Sequence, residues 1–172
     1  NMALGVFIHR KDSVYDDSPA ERYQFPKQYF GRVSACVGNW IIYYEPRKVN
    51  DTRGYFAVAR IQEVITDPGF DNMYIAIVEP GTYLDFANPV PFNDHTGILE
   101  RGLLNDEGRI SGRAQSAVRE ITSDDFNRIV SIGLREDEPI LPRGDDTPHS
   151  SGFEEAQTPF EYETERNRMT YL

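Results

Sequence analysis

The sequence predicts an α+β fold, a small mixed β-barrel flanked by short helices. Three runs are dense in aromatic and β-branched residues: GNWIIYYEP (38–46), RGYFAVARIQEVITDP (53–68) and NMYIAIVEP (72–80). Gly, Pro, Asn or Asp bounds each run, which is typical of strands separated by tight turns. A polar, basic loop (47–53) joins the first two runs, and this order of parts favours a small barrel.

A strand, a long loop and a helix are predicted before the first of these runs. Ala3–His9 alternates as a strand does, and residues 10–24 form a polar loop. Pro26 opens the helix, because its missing N–H costs nothing at the first helical position. Gly38 ends the helix. Its apolar side chains fall at helical spacing: Tyr29, Phe30 and Val33.

The remaining elements follow the third run. A short strand over 83–86 is ended by Asn88-Pro89, and the glycine-rich stretch 97–113 is predicted as loop. Residues 117–121 form a closing strand. A helix then begins with Ser123 as its N-cap and ends at Gly133. The buried stripe of this helix consists of Phe126, Ile129 and Val130.

Charge divides the 172-residue chain into a nearly neutral domain, 1–135, and an acidic linker, 136–172. The first part holds 15 basic and 18 acidic residues, whereas the second holds 3 and 10 and is rich in Pro, Gly, Ser and Thr. Cys36 is the only cysteine and no apolar run reaches membrane-spanning length, so we expect a reducing, cytoplasmic location.

Catalytic and metal-binding templates are absent from the sequence. There is no phosphate loop, no dinucleotide fingerprint and no nucleophile elbow. The three histidines are spread along the chain and one cysteine cannot complete a zinc site with them. The pair Asp16-Asp17 is interpreted as a solvated loop. We therefore expect no catalytic residue, metal or cofactor in this domain.

Aromatic residues are the stronger signal, because Tyr and Phe number 10 each. Beside a role in a barrel core, such rings can stack on a nucleobase that has been taken out of a helix. The candidates for a base pocket are Tyr23, Phe25, Trp40, Tyr43 and Tyr44. Loop cations suited to phosphate contacts accompany them: Arg10, Lys11, Arg22, Arg47, Lys48, Arg53, Arg109 and Arg113.

Two blocks resemble a known family. VGNWIIYYEPRK…GYFAVARIQEVITDP (37–68) resembles the core of the PUA superfamily, which includes the EVE, ASCH and SRA domains. VYDDSPAERYQFPKQYFGRV (14–33) resembles the amino-terminal reader module of bacterial HNH restriction endonucleases. The resemblance covers about residues 4–135. The tail 153–172 is similar to the linker that enters such a nuclease domain, and the HNH segment itself is absent from this sequence.

This resemblance implies a PUA-like (SRA/EVE-type) pseudo-barrel that binds double-stranded DNA carrying 5-methylcytosine, 5-hydroxymethylcytosine or N6-methyladenine. The modified base would be flipped into the aromatic pocket, with His9 or Asp17 as hydrogen-bond partner to its edge. A separate HNH domain would cut nearby, in a bacterial cytoplasm, and the parent nuclease would account for any homodimer.

Other interpretations stay open at the level of sequence. RNA, or a small ligand in the same cavity, is one alternative, with His9, Asp16 and Asp17 as acid–base groups in the small-ligand version. A protein-interaction module without a pocket is another, and it predicts that Trp40, Tyr43 and Tyr44 are fully buried.

Overall fold

A computed structural model describes residues 3–9, 18–46 and 54–135 and shows the predicted α+β class, a mostly-sheet core with two short helices. The helices are α1 (Phe30–Ser34) and α2 (Ser123–Leu134). The strands are β1 (Leu4–Ile8), β2 (Arg22–Pro26), β3 (Trp40–Glu45), β4 (Gly54–Thr66), β5 (Met73–Val78), β6 (Leu84–Val90), β7 (Asn93–Asp94), β8 (Gly97–Ile98) and β9 (Val118–Ile121). No helix in these ranges has the length and apolar character needed to cross a membrane.

Seven strands form one sheet in the order β2-β5-β4-β3-β1-β9, with β6 also paired to β4. β1 and β3 run parallel, and the other pairs in this sheet are antiparallel. At 13 residues, β4 pairs with β3 and β6 through its first half and with β5 through its second. No pairing in the described part of the chain joins β2 to β9, so the sheet is open and the predicted barrel does not close.

The sheet nevertheless curls until β2 lies against β1. The Tyr23 hydroxyl on β2 donates a hydrogen bond to the Ile8 carbonyl on β1 at 2.8 Å. The Tyr23 and Phe7 ring centroids are 4.7 Å apart. Both faces of β1 are buried, since Val6, Phe7 and Ile8 have no exposed surface. The concave side of the curl therefore encloses an aromatic core.

The strands β1, β3, β4, β5 and β9 were predicted and are confirmed, but the stretch before β3 was partly wrong. Residues 22–26, assigned to a loop and a helix start, form β2, which pairs with β5 in the register Tyr23↔Ala76. Pro26 ends this outermost strand, where a missing N–H costs nothing, and does not open a helix. A 3₁₀ turn, Lys27–Tyr29, precedes α1, which stops at Ser34, before the left-handed Gly38.

Four features in the second half also differ from prediction. β6 continues through Pro89 to Val90, and the stretch 97–113 contains β8 and 3₁₀ turns. The N-cap of α2 is Thr122, whose hydroxyl accepts from the Asp125 N–H at 3.1 Å, rather than Ser123. Gly133 lies inside α2 and does not end it. A Cβ at this position would overlap the Phe86 ring. Close packing against β6 thus explains this glycine.

Candidate functional site

The carboxyl ends of β1 and β3 meet at one end of the sheet. The two strands are parallel, with Ile8 beside Tyr44, and the His9 N–H donates to the Tyr44 carbonyl at 2.8 Å. Gly54, the first residue of β4, pairs with Glu45 at the same end. We call this end, marked by His9, Glu45 and Gly54, the exit end, because the chain leaves the sheet there after β1 and after β3.

Six predicted site residues lie in the two stretches that join at the exit end. They fall outside the described residues, so their predicted roles stay predictions: Arg10, Lys11, Asp17, Arg47, Lys48 and Arg53.

A group of aromatic rings lies beneath the exit end. Tyr43 is at its centre, stacked on Phe56 with ring centroids 5.8 Å apart. His9 lies edge-on to both rings, 6.3 Å from Tyr43 and 5.9 Å from Phe56, and Tyr83 is 6.1 Å from Tyr43. We call His9, Tyr43, Phe56 and Tyr83 the exit-end cluster. Sequence reasoning named its first two members and missed Phe56 and Tyr83 as site residues.

The exit-end cluster rests on a second layer of rings that includes two more predicted pocket residues. Tyr23 lies 6.3 Å from Tyr43, and Phe25 stacks on Tyr23 at 6.3 Å. Tyr23, Phe25 and Tyr43 have no exposed surface. In the described conformation these three rings are packed in the core, so a base could stack among them only after a ring moves aside.

Tyr44 and Trp40 do not join the exit-end cluster. Successive side chains of a strand point to opposite faces, and Tyr44 packs instead against Tyr55 and Phe92, at 4.8 and 6.0 Å. Trp40 is half-buried at the opposite end of β3. It is four positions from Tyr44, which is roughly 13 Å along a strand. The five predicted pocket aromatics are therefore divided among three places.

Beneath Tyr44 lies a buried ion pair that the sequence did not reveal. Arg119 and Glu100 have side chains only 1% exposed, and the guanidinium holds the carboxylate through two bonds of 2.7 and 2.8 Å. The Tyr55 hydroxyl donates to the same carboxylate at 2.7 Å, and the guanidinium lies 5.9 Å from the Tyr44 ring centroid. We call Glu100, Arg119 and Tyr55 the buried network.

The remaining predicted cations are separated from one another. Arg22 is half-buried at the start of β2, whereas Arg109 and Arg113 are exposed in the segment before β9. Arg113 donates to the Gly102 carbonyl at 3.1 Å and to the Glu120 carbonyl at 2.7 Å. Arg109 lies in a turn closed by the Asn105 side chain, whose Oδ1 accepts from the Arg109 backbone N–H at 3.0 Å.

A groove of about 680 Å³ runs along the outer side of β9. The main-chain N–H and C=O groups of residues 117, 119 and 121 point toward β1. The carbonyls of Val118 and Glu120 therefore point away from β1, into the groove. Arg32 of α1 donates to the Val118 carbonyl at 3.0 Å and to the Ser116 hydroxyl at 2.6 Å. The Arg113 guanidinium donates to the Glu120 carbonyl on the same side of β9. Arg32 was not among the predicted site residues.

Cys36 lies buried behind this groove, between α1 and β1. Burial raises the pKa of its thiol from 9.0 to about 12, and the Glu120 carboxylate adds to the effect. A thiol with so high a pKa is a poor nucleophile at neutral pH. Among the described residues, no cluster of three or more His, Cys, Asp or Glu side chains could hold a metal ion.

No protein-family model matches this chain, and no curated protein is significantly similar to it. The described structure defines an open, curled α+β sheet with an aromatic cluster at one end.

Proposed function

We propose that this chain is a PUA-like reader domain that recognises a modified base in double-stranded DNA and directs an HNH endonuclease to it. One observation carries the proposal. An aromatic cluster lies at the exit end of the sheet, the same end at which the stretches containing five of the predicted phosphate-contacting cations join the described chain.

The physical logic is that of a base reader. A base must be unstacked before its edge can be inspected, and aromatic side chains replace the lost stacking, at roughly 1–3 kcal/mol per base. A methyl group that fills an apolar site adds about 0.8 kcal/mol. His9 and Tyr43 supply ring nitrogen and hydroxyl groups beside these apolar faces, and the Tyr43 hydroxyl donates to the Pro19 carbonyl at 2.9 Å.

The curled sheet supports the finer fold proposal. A PUA-like pseudo-barrel is expected to combine mixed strand pairing with short flanking helices. Both features are present here. The acidic stretch 136–172 would connect this reader to the nuclease domain, which would also account for a homodimer.

Binding to matched duplexes tests the proposal. The set comprises unmodified DNA and DNA with 5-methylcytosine, 5-hydroxymethylcytosine or N6-methyladenine, each at two salt concentrations. We expect one modified duplex to be preferred. Tyr83→Ala, at the rim of the exit-end cluster, should reduce that preference at least several-fold.

Two matched aromatic variants serve as controls. Tyr74 packs on Phe25 and Phe30 away from the exit end, and Trp40 lies at the far end of β3. Tyr74→Ala and Trp40→Ala should keep the preference. Equal binding of all four duplexes would refute the modified-base proposal. Thermal stabilisation by free nucleosides, with little salt dependence, would support a small-ligand function instead.

A further inference from the structure

The described arginines differ in what holds them. Three form ion pairs with carboxylates: Arg60, Arg119 and Arg128. Arg32 and Arg113 instead donate only to main-chain oxygens and one hydroxyl. In the part of the chain that is described, neither has a carboxylate partner. Two exposed cations are thus held in place without being neutralised, although the whole chain has a net charge of −10.

The guanidinium groups of Arg32 and Arg113 lie next to each other along the outer edge of β9. Arg32 is anchored on the Val118 carbonyl and Arg113 on the Glu120 carbonyl. These carbonyls are two residues apart on the same side of β9, which is about 7 Å along a strand. An arginine has five N–H donors. Arg32 uses one nitrogen and Arg113 two in these anchors, so further donors remain on each side chain.

We propose that the groove along β9 holds the phosphodiester backbone of a nucleic acid strand, with Arg32 and Arg113 each contacting a phosphate. This inference rests on the proposed function, because it supplies that reader with a backbone contact beyond the exit end. Phosphate contacts from arginine position a protein on a duplex without reading its sequence. Glu120 is the one acidic side chain that lines the groove. Arg119 also lines it, but its charge is matched by Glu100. Arg32 and Arg113 therefore supply the positive charge of the groove.

An extended peptide fits the groove less well. A peptide strand added to a sheet edge needs the outward carbonyls of that edge as acceptors. In β9 the carbonyls of Val118 and Glu120 already accept from Arg32 and Arg113. Arginine side chains covering the edge in this way oppose strand addition and leave charged N–H groups as the contacts on offer.

One end of the groove lies near the carboxyl end of β1. The Ala117 carbonyl accepts from the Ile8 N–H at 2.8 Å, so Ser116, at the start of the groove, lies near the carboxyl end of β1. A strand whose base is read at the exit end would therefore meet the groove as it leaves.

The salt dependence of binding to an unmodified duplex tests the groove. Each phosphate contact contributes about 0.9 to the slope of log K against log salt concentration. We expect Arg32→Gln and Arg113→Gln each to lower this slope by about one and the double variant by about two. Arg60, on β4, is paired with Glu79, so Arg60→Gln removes the same charge outside the groove and should leave the slope unchanged.

Wild-type slopes in both groove variants would overturn the inference. So would a glutamate-rich peptide of matched charge that competes as well as single-stranded DNA. Circular dichroism and thermal unfolding check that the variants fold. If Arg32→Gln does not, ¹⁵N spectra of the arginine Nε–H groups in the wild-type protein replace it. A short oligonucleotide should then shift the Arg32 and Arg113 signals and leave Arg60 in place, and unshifted signals would overturn the inference.

The two proposals can fail separately. The ratio of modified to unmodified affinity reports the exit end, and the salt slope reports the groove. A lower slope in the groove variants together with no preference for any modified duplex would refute the modified-base reader and support the groove. A preference for a modified duplex together with unchanged slopes would support the modified-base reader and refute the groove. Inorganic phosphate as a second titrant distinguishes a site for any phosphate from one that needs a strand.

Discussion

Tyr43 and Tyr44 are neighbours in β3, yet their side chains enter two different kinds of surroundings. Tyr43 is the centre of the exit-end cluster, where rings contact rings. Tyr44 lies over the buried network, where a fully buried arginine and glutamate are joined by two hydrogen bonds. Strand geometry causes the separation, because adjacent side chains point to opposite faces.

The contrast between the exit-end cluster and the buried network bears on which part of the core a ligand could enter. In the exit-end cluster the contacts are between apolar ring faces and edges, so a flat group that replaced a ring there would still meet apolar surface. The buried network is directional, and each charge in it needs the other. A ligand that entered there would leave a charge unpaired.

The largest expected effect comes from breaking the buried network. Arg119→Met removes the partner of Glu100 and leaves its carboxylate buried with the Tyr55 hydroxyl. Loss of one member of such a pair costs about 3–5 kcal/mol, and we expect the free energy of unfolding in urea to fall by that amount. The double variant Glu100→Leu, Arg119→Met should recover much of the loss, because no charge then remains unpaired.

Equal destabilisation in the single and double variants would contradict this account of the network. It would mean that the cost lies in packing lost around β9, including the contacts of Arg119 with the Ala114 and Ser116 carbonyls.

The strands could be predicted because their signals are local. The runs at 38–46, 53–68 and 72–80 became β3, β4 and β5 with small shifts at their ends. β2 was missed because it has only five residues and ends in Pro26, and because its partner β5 lies some 50 residues further along the chain. Pairing of that kind is a tertiary property. The closed barrel failed for the same reason, since only the three-dimensional structure shows that β2 and β9 remain unpaired to each other.

The sequence named several residues of the aromatic cluster but not their arrangement, and their roles as site residues stay predictions. His9, Tyr23, Phe25 and Tyr43 do come together, as the aromatic content suggested. Alternation along β3 was the signal that should have separated Tyr44 from Tyr43. No local pattern pointed to Arg32, which reaches the groove only because α1 packs beside β9.

A smaller effect is expected where the curled sheet is held together. Tyr23→Phe keeps the ring in place and removes its hydrogen bond to the Ile8 carbonyl. A neutral buried hydrogen bond is worth about 0.5–1.5 kcal/mol, and the free energy of unfolding should fall by that amount. Tyr74→Phe is the matched control, expected to change it by less than about 0.5 kcal/mol. Equal effects in the two variants would show that the bond does not help to hold β2 against β1.

The smallest effect at neutral pH is expected at Cys36, which belongs to neither region. Its folded pKa of about 12 lies above the ordinary 9.0, so between these values the unfolded chain loses a proton that the folded chain keeps. The unfolded state then binds fewer protons, and the free energy of unfolding falls as pH rises, by at most about 1.4 kcal/mol per pH unit. Cys36→Ser should not show this fall. The stability difference between wild type and Cys36→Ser, measured by urea unfolding under reducing conditions, should be constant up to about pH 9 and should then shift against the wild type. A difference that stays constant to pH 11 would mean that the thiol ionises normally in the folded protein. The space between α1 and β1 would then be open to water, unlike the buried network, where a charge is tolerated only because its partner is held beside it.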